Sequence, residues 1–213
     1  MTTVFDLDGV LSRSDTMATV VFSRLRRRPW LLVPVAALAA AAALAGARSG
    51  TRPRCNRAIV HLALSGLTPD DYRRLAEKAA RRLASRQGNV PPAVVAALRD
   101  AIQRGDGLVS TATERYLAAR YLAEIGADAA PLHASEFVFT RRGPRFARHN
   151  VGEHKAEALV RVHPGATIDA LYTDSASDLP LARLSTITVL VGSSARAARG
   201  FERAGVRFRR LGA

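Results

Sequence analysis

Apolar positions along the chain fall into two rhythms that take turns. Thr2–Leu7 is a short apolar run and reads as a buried strand. Asp15–Arg28 follows with Met17, Val20, Val21 and Leu25 on one side, the spacing of a helix. Thr68-Pro69-Asp70-Asp71 is a helix start, with a capping hydroxyl, a proline for the first turn and acids for the positive end of the dipole. Leu75, Ala79 and Leu83 carry that helix to about Gln87, where Gly88-Asn89 ends it. Pro91-Pro92 opens another, to Arg104. Asp106–Ser110 reads as a short strand and Thr113–Ile125 as a helix closed by Gly126. Glu136–His149 alternates around Arg-Gly-Pro and predicts a hairpin. Glu153–Val162 is helical, and Ala166–Tyr172 and Thr186–Val191 are strands. Strands alternating with helices predict an α/β fold, a largely parallel sheet with helices on both faces.

In such sheets ligands bind beyond the carboxyl ends of the strands, and three strand ends here are polar. The first carries Asp6 and Asp8, which share a face and repel each other. Asp-Leu-Asp-Gly would also suit a solvated turn. The functional alternative is a hard dication held between the carboxylates. The second end carries Ser110, Thr111 and Thr113, and a later one carries Asp174 and Asp178. Lys155 lies in the first turn of a helix between the last two. Carboxylates, a hydroxyl and an ammonium thus converge on one rim.

Composition narrows the picture. With 213 residues, 48% of them hydrophobic, the chain can bury one α/β core plus an insertion. Cys55 is the single cysteine, so no intrachain disulfide forms. The formal charge of +14 suits nucleic acid, an anionic membrane or anionic substrates. No aromatic-interleaved basic patch is present, and nucleic acid is not an expected partner. Arginine supplies nearly all the positive charge, for Lys78 and Lys155 are the only lysines. The N-terminus has no basic, then apolar, leader pattern, which predicts a cytoplasmic protein. Asp15 reads as a helix cap. His61, His133, His149, His154 and His163 lack metal-ligand spacing and read as bystanders.

The four segments "VFDLDGV", "LVSTAT", the lysine of "VGEHK" and "YTDSASD" resemble, in order, the four motifs of the haloacid dehalogenase superfamily. The resemblance implies a Rossmann-like core and a phosphomonoester hydrolase. By it, Asp6 is the nucleophile that becomes an aspartyl-phosphate, and Asp8 is the acid and base. Ser110, with Thr111 competing, and Lys155 hold the phosphoryl group. Asp6, Asp8, Asp174 and Asp178 serve Mg²⁺, with Asp178 in support. Val10 and Thr173 depart from the residues that the family often places there.

About ninety residues separate the first two motifs. By the same resemblance, residues 15–104 form a helical cap on a core of 1–14 and 105–213. The branch is similar to the phosphoserine phosphatases. Within it, the cap start "FSRLRRRPWLLVPVAALAAAAALAGAR" is similar to the phosphatidylglycerophosphatase C type, and in part to domains fused to prenyltransferases. Trp30–Ala47 is uncharged but short for a membrane span. A single crossing is also ruled out, because Asp6 and Asp174 must meet on one side. Segment 29–48 is therefore either cap core or an interfacial element, flanked by Arg24, Arg26, Arg27, Arg28 and Arg48. The expected substrate is a lipid phosphate, with peripheral contact to the inner face of an anionic membrane. The alternatives are a soluble phosphate ester, such as phosphoserine or a sugar phosphate, and a non-catalytic binding module.

Overall fold

A computed structural model describes residues 2–45, 51–162, 165, 167–192 and 195–212. The strands are β1 (Thr2–Phe5), β2 (Gly107–Glu114), β3 (Leu132–Thr140), β4 (Gly143–Arg148), β5 (Ile168–Thr173), β6 (Ser185–Val191) and β7 (Phe208–Leu211). The helices are α1 (Thr16–Leu25), α2 (Leu32–Leu44), α3 (Thr51–Ala63), α4 (Pro69–Ser85), α5 (Pro92–Arg104), α6 (Arg115–Glu124), α7 (Glu153–Val162), α8 (Leu179–Ala182) and α9 (Ala195–Arg203). One sheet runs in the order β4-β3-β2-β1-β5-β6-β7. Only the β3–β4 hairpin is antiparallel. This is the α/β architecture that the alternation of elements predicts.

Strand alternation divides the core between the two faces of the sheet. Phe5 and Val109 face α4, α5 and α6, where they pack with Leu83, Val94, Leu98 and Tyr121. Val4 and Leu108 face α7, α8 and α9, with Leu159, Leu181 and Phe201. α5 lies on the sheet, although the sequence reading assigns residues up to 104 to the insertion. Its buried stripe of Val94, Val95, Leu98 and Ala101 is complementary to the strand residues beneath it. β2 is also longer than expected. Thr113 and Glu114 stay in the strand, because Glu114 itself caps α6 by accepting from the Tyr116 and Leu117 amides.

The helical layer above the rim is built from α1, α2, α3 and most of α4. Val20, Leu64, Tyr72 and Ala76 form its main cluster, which also packs on Leu117 of α6 and on Phe137 and Phe139 of β3. The hairpin turn presses on the end of α3. A Cβ at Gly143 (φ 105°) would stand 2.9 Å from the Leu64 carbonyl, so a side chain there has no room. α4 begins with the expected cap, Thr68 accepting from the Asp71 amide.

α2 is different. Of its residues only Ala42 is buried, while Val33 is 77% and Leu44 is 87% exposed. Trp30, just before it, is 66% exposed. Segment 29–48 is thus mainly surface as far as it is described; Gly46, Ala47 and Arg48 lie outside the described residues, as do His163 and Ala166.

Candidate active site

β1 delivers Asp6 to the rim beside Ser110 of β2, since Phe5 pairs with Val109 and Asp6 and Ser110 are the residues that follow them. Asp6 Oδ1 accepts from the Leu7 amide at 2.8 Å and pairs with Lys155 Nζ at 3.0 Å. Its Oδ2 makes no hydrogen bond among the described residues. Lys155 enters from the first turn of α7 and is itself buried. It also pairs with Asp178 Oδ1 at 2.9 Å. Asp178 is fully buried, and its Oδ2 accepts from Thr173 Oγ1 at 2.8 Å. Both of its oxygens are therefore engaged, and it anchors the lysine. Thr173, one of the two departures from the motif, supplies that second contact where a glycine would supply none.

Asp8 is oriented by the layer above it. Its Oδ1 accepts from the Thr16 amide at 2.7 Å and its Oδ2 from Thr113 Oγ1 at 2.7 Å. Thr16 and Thr113 hydroxyls are 2.8 Å apart. The start of α1, the end of β2 and Asp8 thus form one polar knot. Asp15 caps α1, as expected, by accepting from the Ala18 amide.

The Asp174 carboxylate lies on the backbone of Gly9. A Cβ at position 9 would collide with it, and φ of 78° there is a conformation that glycine adopts freely. Ser110 shares the sheet face of Val4 and Leu108, the side from which Lys155 comes. It accepts from Asn150 Nδ2 at 3.3 Å, and among the described residues its own proton has no acceptor. Thr111 is turned to other work: its Oγ1 accepts from the Thr113 amide at 3.0 Å.

The charges do not balance. Four acids, Asp6, Asp8, Asp174 and Asp178, share the rim with one buried ammonium, which pairs with only Asp6 and Asp178. Burial, with Asp178 and Asp8 adding to it, pushes Asp6 well above the usual carboxylate range despite the pull of Lys155. Burial and Asp15 raise Asp8 to about 6. Burial and Asp178 raise Asp174 to about 6. Burial works against the Lys155 ammonium, but Asp178 and Asp6 outweigh it and lift its pKa. The donor set is all oxygen and the net charge is negative, which fits a hard dication. Among the described residues no three acidic, histidine or cysteine side chains close into a ready cage.

Thr16, Asn150 and Gly9 were not singled out from sequence. Thr16 and Asn150 are tied to the rim by partners 97 and 40 residues away, and no periodicity signals such contacts. Gly9 had a signal, since a glycine directly after two acids marks a tight turn.

Residues 3–183 match the haloacid dehalogenase-like hydrolase family. The chain belongs to that family. No curated protein matches it. Solved structures similar to this hydrolase include a protein of unknown function from Bordetella pertussis Tohama I, with 17% identity over 97% of this chain and 96% of that one (TM-score 0.68). Another is a phospho-aspartyl intermediate analogue of a phosphoserine phosphatase, at 14% identity over 94% and 91% (TM-score 0.62). A third is a phosphoserine phosphohydrolase-like protein from Francisella tularensis, at 11% identity over 96% and 99% (TM-score 0.62). At such identities the likeness is one of fold.

Proposed function

We propose that this hydrolase cleaves phosphomonoesters through an aspartyl-phosphate on Asp6, with Mg²⁺ as cofactor. The observation that carries the reading is the pairing of Asp6 Oδ1 with Lys155 while, among the described residues, Oδ2 is left without a partner. A carboxylate so held has one oxygen fixed and one to attack with. Mg²⁺, held by Asp6 and Asp174 with Asp8 and Asp178 around it, would supply charge neutralisation between the nucleophile and the phosphoryl oxygens.

The steps follow from the residues. Asp6 Oδ2 bonds to phosphorus as the ester P–O bond breaks, and Asp8 gives its proton to the departing alkoxide. A carboxyl with a pKa near 6 can hold that proton close to neutral pH. Asp8 then takes a proton from water, whose oxygen attacks phosphorus and frees Asp6. Lys155 and the Ser110 hydroxyl hold the phosphoryl oxygens, and Asp178 with Thr173 keeps Lys155 in place.

The preferred substrate is a lipid phosphate of the phosphatidylglycerophosphate kind. Support comes from α2, an uncharged helix with its side chains in solvent, beside Arg24, Arg26, Arg27 and Arg28. Among the described residues no single helix is long and apolar enough to cross a membrane, and Thr16–Leu25 meets Pro29–Leu44 at 119°. Such a bent pair suits the interface of an anionic bilayer. Turnover of p-nitrophenyl phosphate with Mg²⁺ tests the chemistry. Asp6→Asn should abolish it, because an amide is a poor nucleophile. Asp8→Asn should slow an alkyl phosphate far more than nitrophenyl phosphate, whose leaving group needs no proton. Full activity in Asp6→Asn would sink the assignment.

A further inference from the structure

The helical layer bridges the rim. On one side it rests on the β3–β4 hairpin, at the far edge of the sheet from β6. On the other, α2 and α3 stand across a cleft from Arg196 of α9, a helix that follows β6 at the same carboxyl end of the sheet. Asp6 and Asp174, which directly follow the central strands β1 and β5, and Ser110 of β2 therefore lie beneath the span. At the α9 side the span leaves a cleft of about 380 Å³, within the size range of small-molecule sites. Ala39, Ala42 and Ala43 of α2 and Ile59 of α3 give it a methyl-lined wall, and Asn56 and Arg196 are its polar members. α9 also touches the loop that carries the late acids: a Cβ on Gly200 would stand 2.6 Å from the Ala176 Cβ, between Asp174 and Asp178.

We infer that this cleft receives the alcohol half of the substrate, and that this half has an apolar portion and a second negative group. The inference rests on the phosphomonoesterase reading and names its substrate class. Alanine and isoleucine methyls offer no hydrogen bonds, so a small polar alcohol such as serine would leave the wall bare. Arg196 has no acidic partner among the described residues. Its guanidinium presents a planar fork that matches a phosphodiester or carboxylate. Arg196 thus acts as a specificity residue at the leaving-group side, apart from the lysine that holds the phosphoryl group.

The test uses dioctanoyl phosphatidylglycerol below its micelle concentration. It is an anionic diester with no phosphomonoester to hydrolyse, so calorimetric binding reads the cleft without catalysis. Arg196→Ala and Ala39→Trp should each weaken binding tenfold or more, and Arg196→Lys should recover part of the loss. Dioctanoylglycerol, which keeps both acyl chains and lacks the phosphodiester, should bind more weakly and be indifferent to Arg196→Ala. Turnover of nitrophenyl phosphate, which does not need the cleft, should stay within twofold of wild type in all three variants. Equal binding by wild type, Arg196→Ala and Ala39→Trp, or no binding by the wild type, overturns the inference while the phosphatase chemistry stands. Arg196-dependent binding without any turnover would instead keep the cleft and remove the chemistry.

Discussion

Lys155 illustrates how single residues set the properties of this rim. In a chain that relies on arginine, a compact ammonium sits between Asp6 and Asp178. Lysine suits a point contact to two carboxylates, where a planar guanidinium would need more room. The remaining acids are less well compensated, and this gives a pH signature. Asp8 and Asp174 bind protons more tightly in the folded protein than in the unfolded chain. Their contribution to stability is complete below the ordinary carboxylate range and is lost as pH rises through about 6. Mg²⁺ competes with those protons, so it should raise the melting temperature more at pH ~8 than at pH ~5. Differential scanning fluorimetry would show this, and Asp174→Asn should remove most of the gain. An equal Mg²⁺ effect at both pH values would contradict the account. Much at this scale was legible in the sequence, because a strand ending on acids is costly without a partner for them. The different hydrogen-bond partners of Ser110 and Thr111 were not, since they depend on which sheet face each occupies. Nor was the Thr173–Asp178 hydrogen bond, which looked from sequence like a simple departure from a motif.

At the scale of elements, buried polar contacts join the helical layer to the sheet, and α4 supplies one of them. Tyr72 of α4 donates to Glu114 Oε2 at 2.6 Å, and Glu114 also caps α6. Burial, reinforced by Glu114, pushes the Tyr72 hydroxyl well above its usual pKa, so it remains a donor. Tyr72→Phe removes a hydrogen bond to a carboxylate, which costs about 1.5–3 kcal/mol. For a chain of this size that lowers the melting temperature by roughly 3–12 °C. A change under a degree would show that the contact does not hold the layers together. Helices with caps and apolar stripes, α4 above all, could be read from the sequence. The end of β2 and the place of α5 could not. Glu114 looks like a helical residue until its role as a cap is seen, and the stripe on α5 does not reveal which layer it meets.

The whole molecule carries a formal charge of +14 and displays an uncharged helix on its surface. Arg26 and Arg27 are exposed at the approach to α2. The proposed membrane contact predicts co-sedimentation with vesicles containing phosphatidylglycerol at low salt and release at high salt. Each arginine near such a surface contributes about 1 kcal/mol, so changing both to Gln should weaken partitioning by up to roughly thirtyfold. Indifference of the wild type to anionic vesicles would leave α2 without this role. The central claim, however, is covalent: phosphate passes through Asp6. The most direct measurement is a rapid acid quench during turnover of a phosphorus-32-labelled ester, followed by peptide mapping. The account predicts acid-stable label on the peptide bearing Asp6 in wild type, more of it when Asp8→Asn slows hydrolysis of the intermediate, and none in Asp6→Asn. Turnover by the wild type with no label on that peptide in either the wild type or Asp8→Asn, or label on another residue, would contradict it.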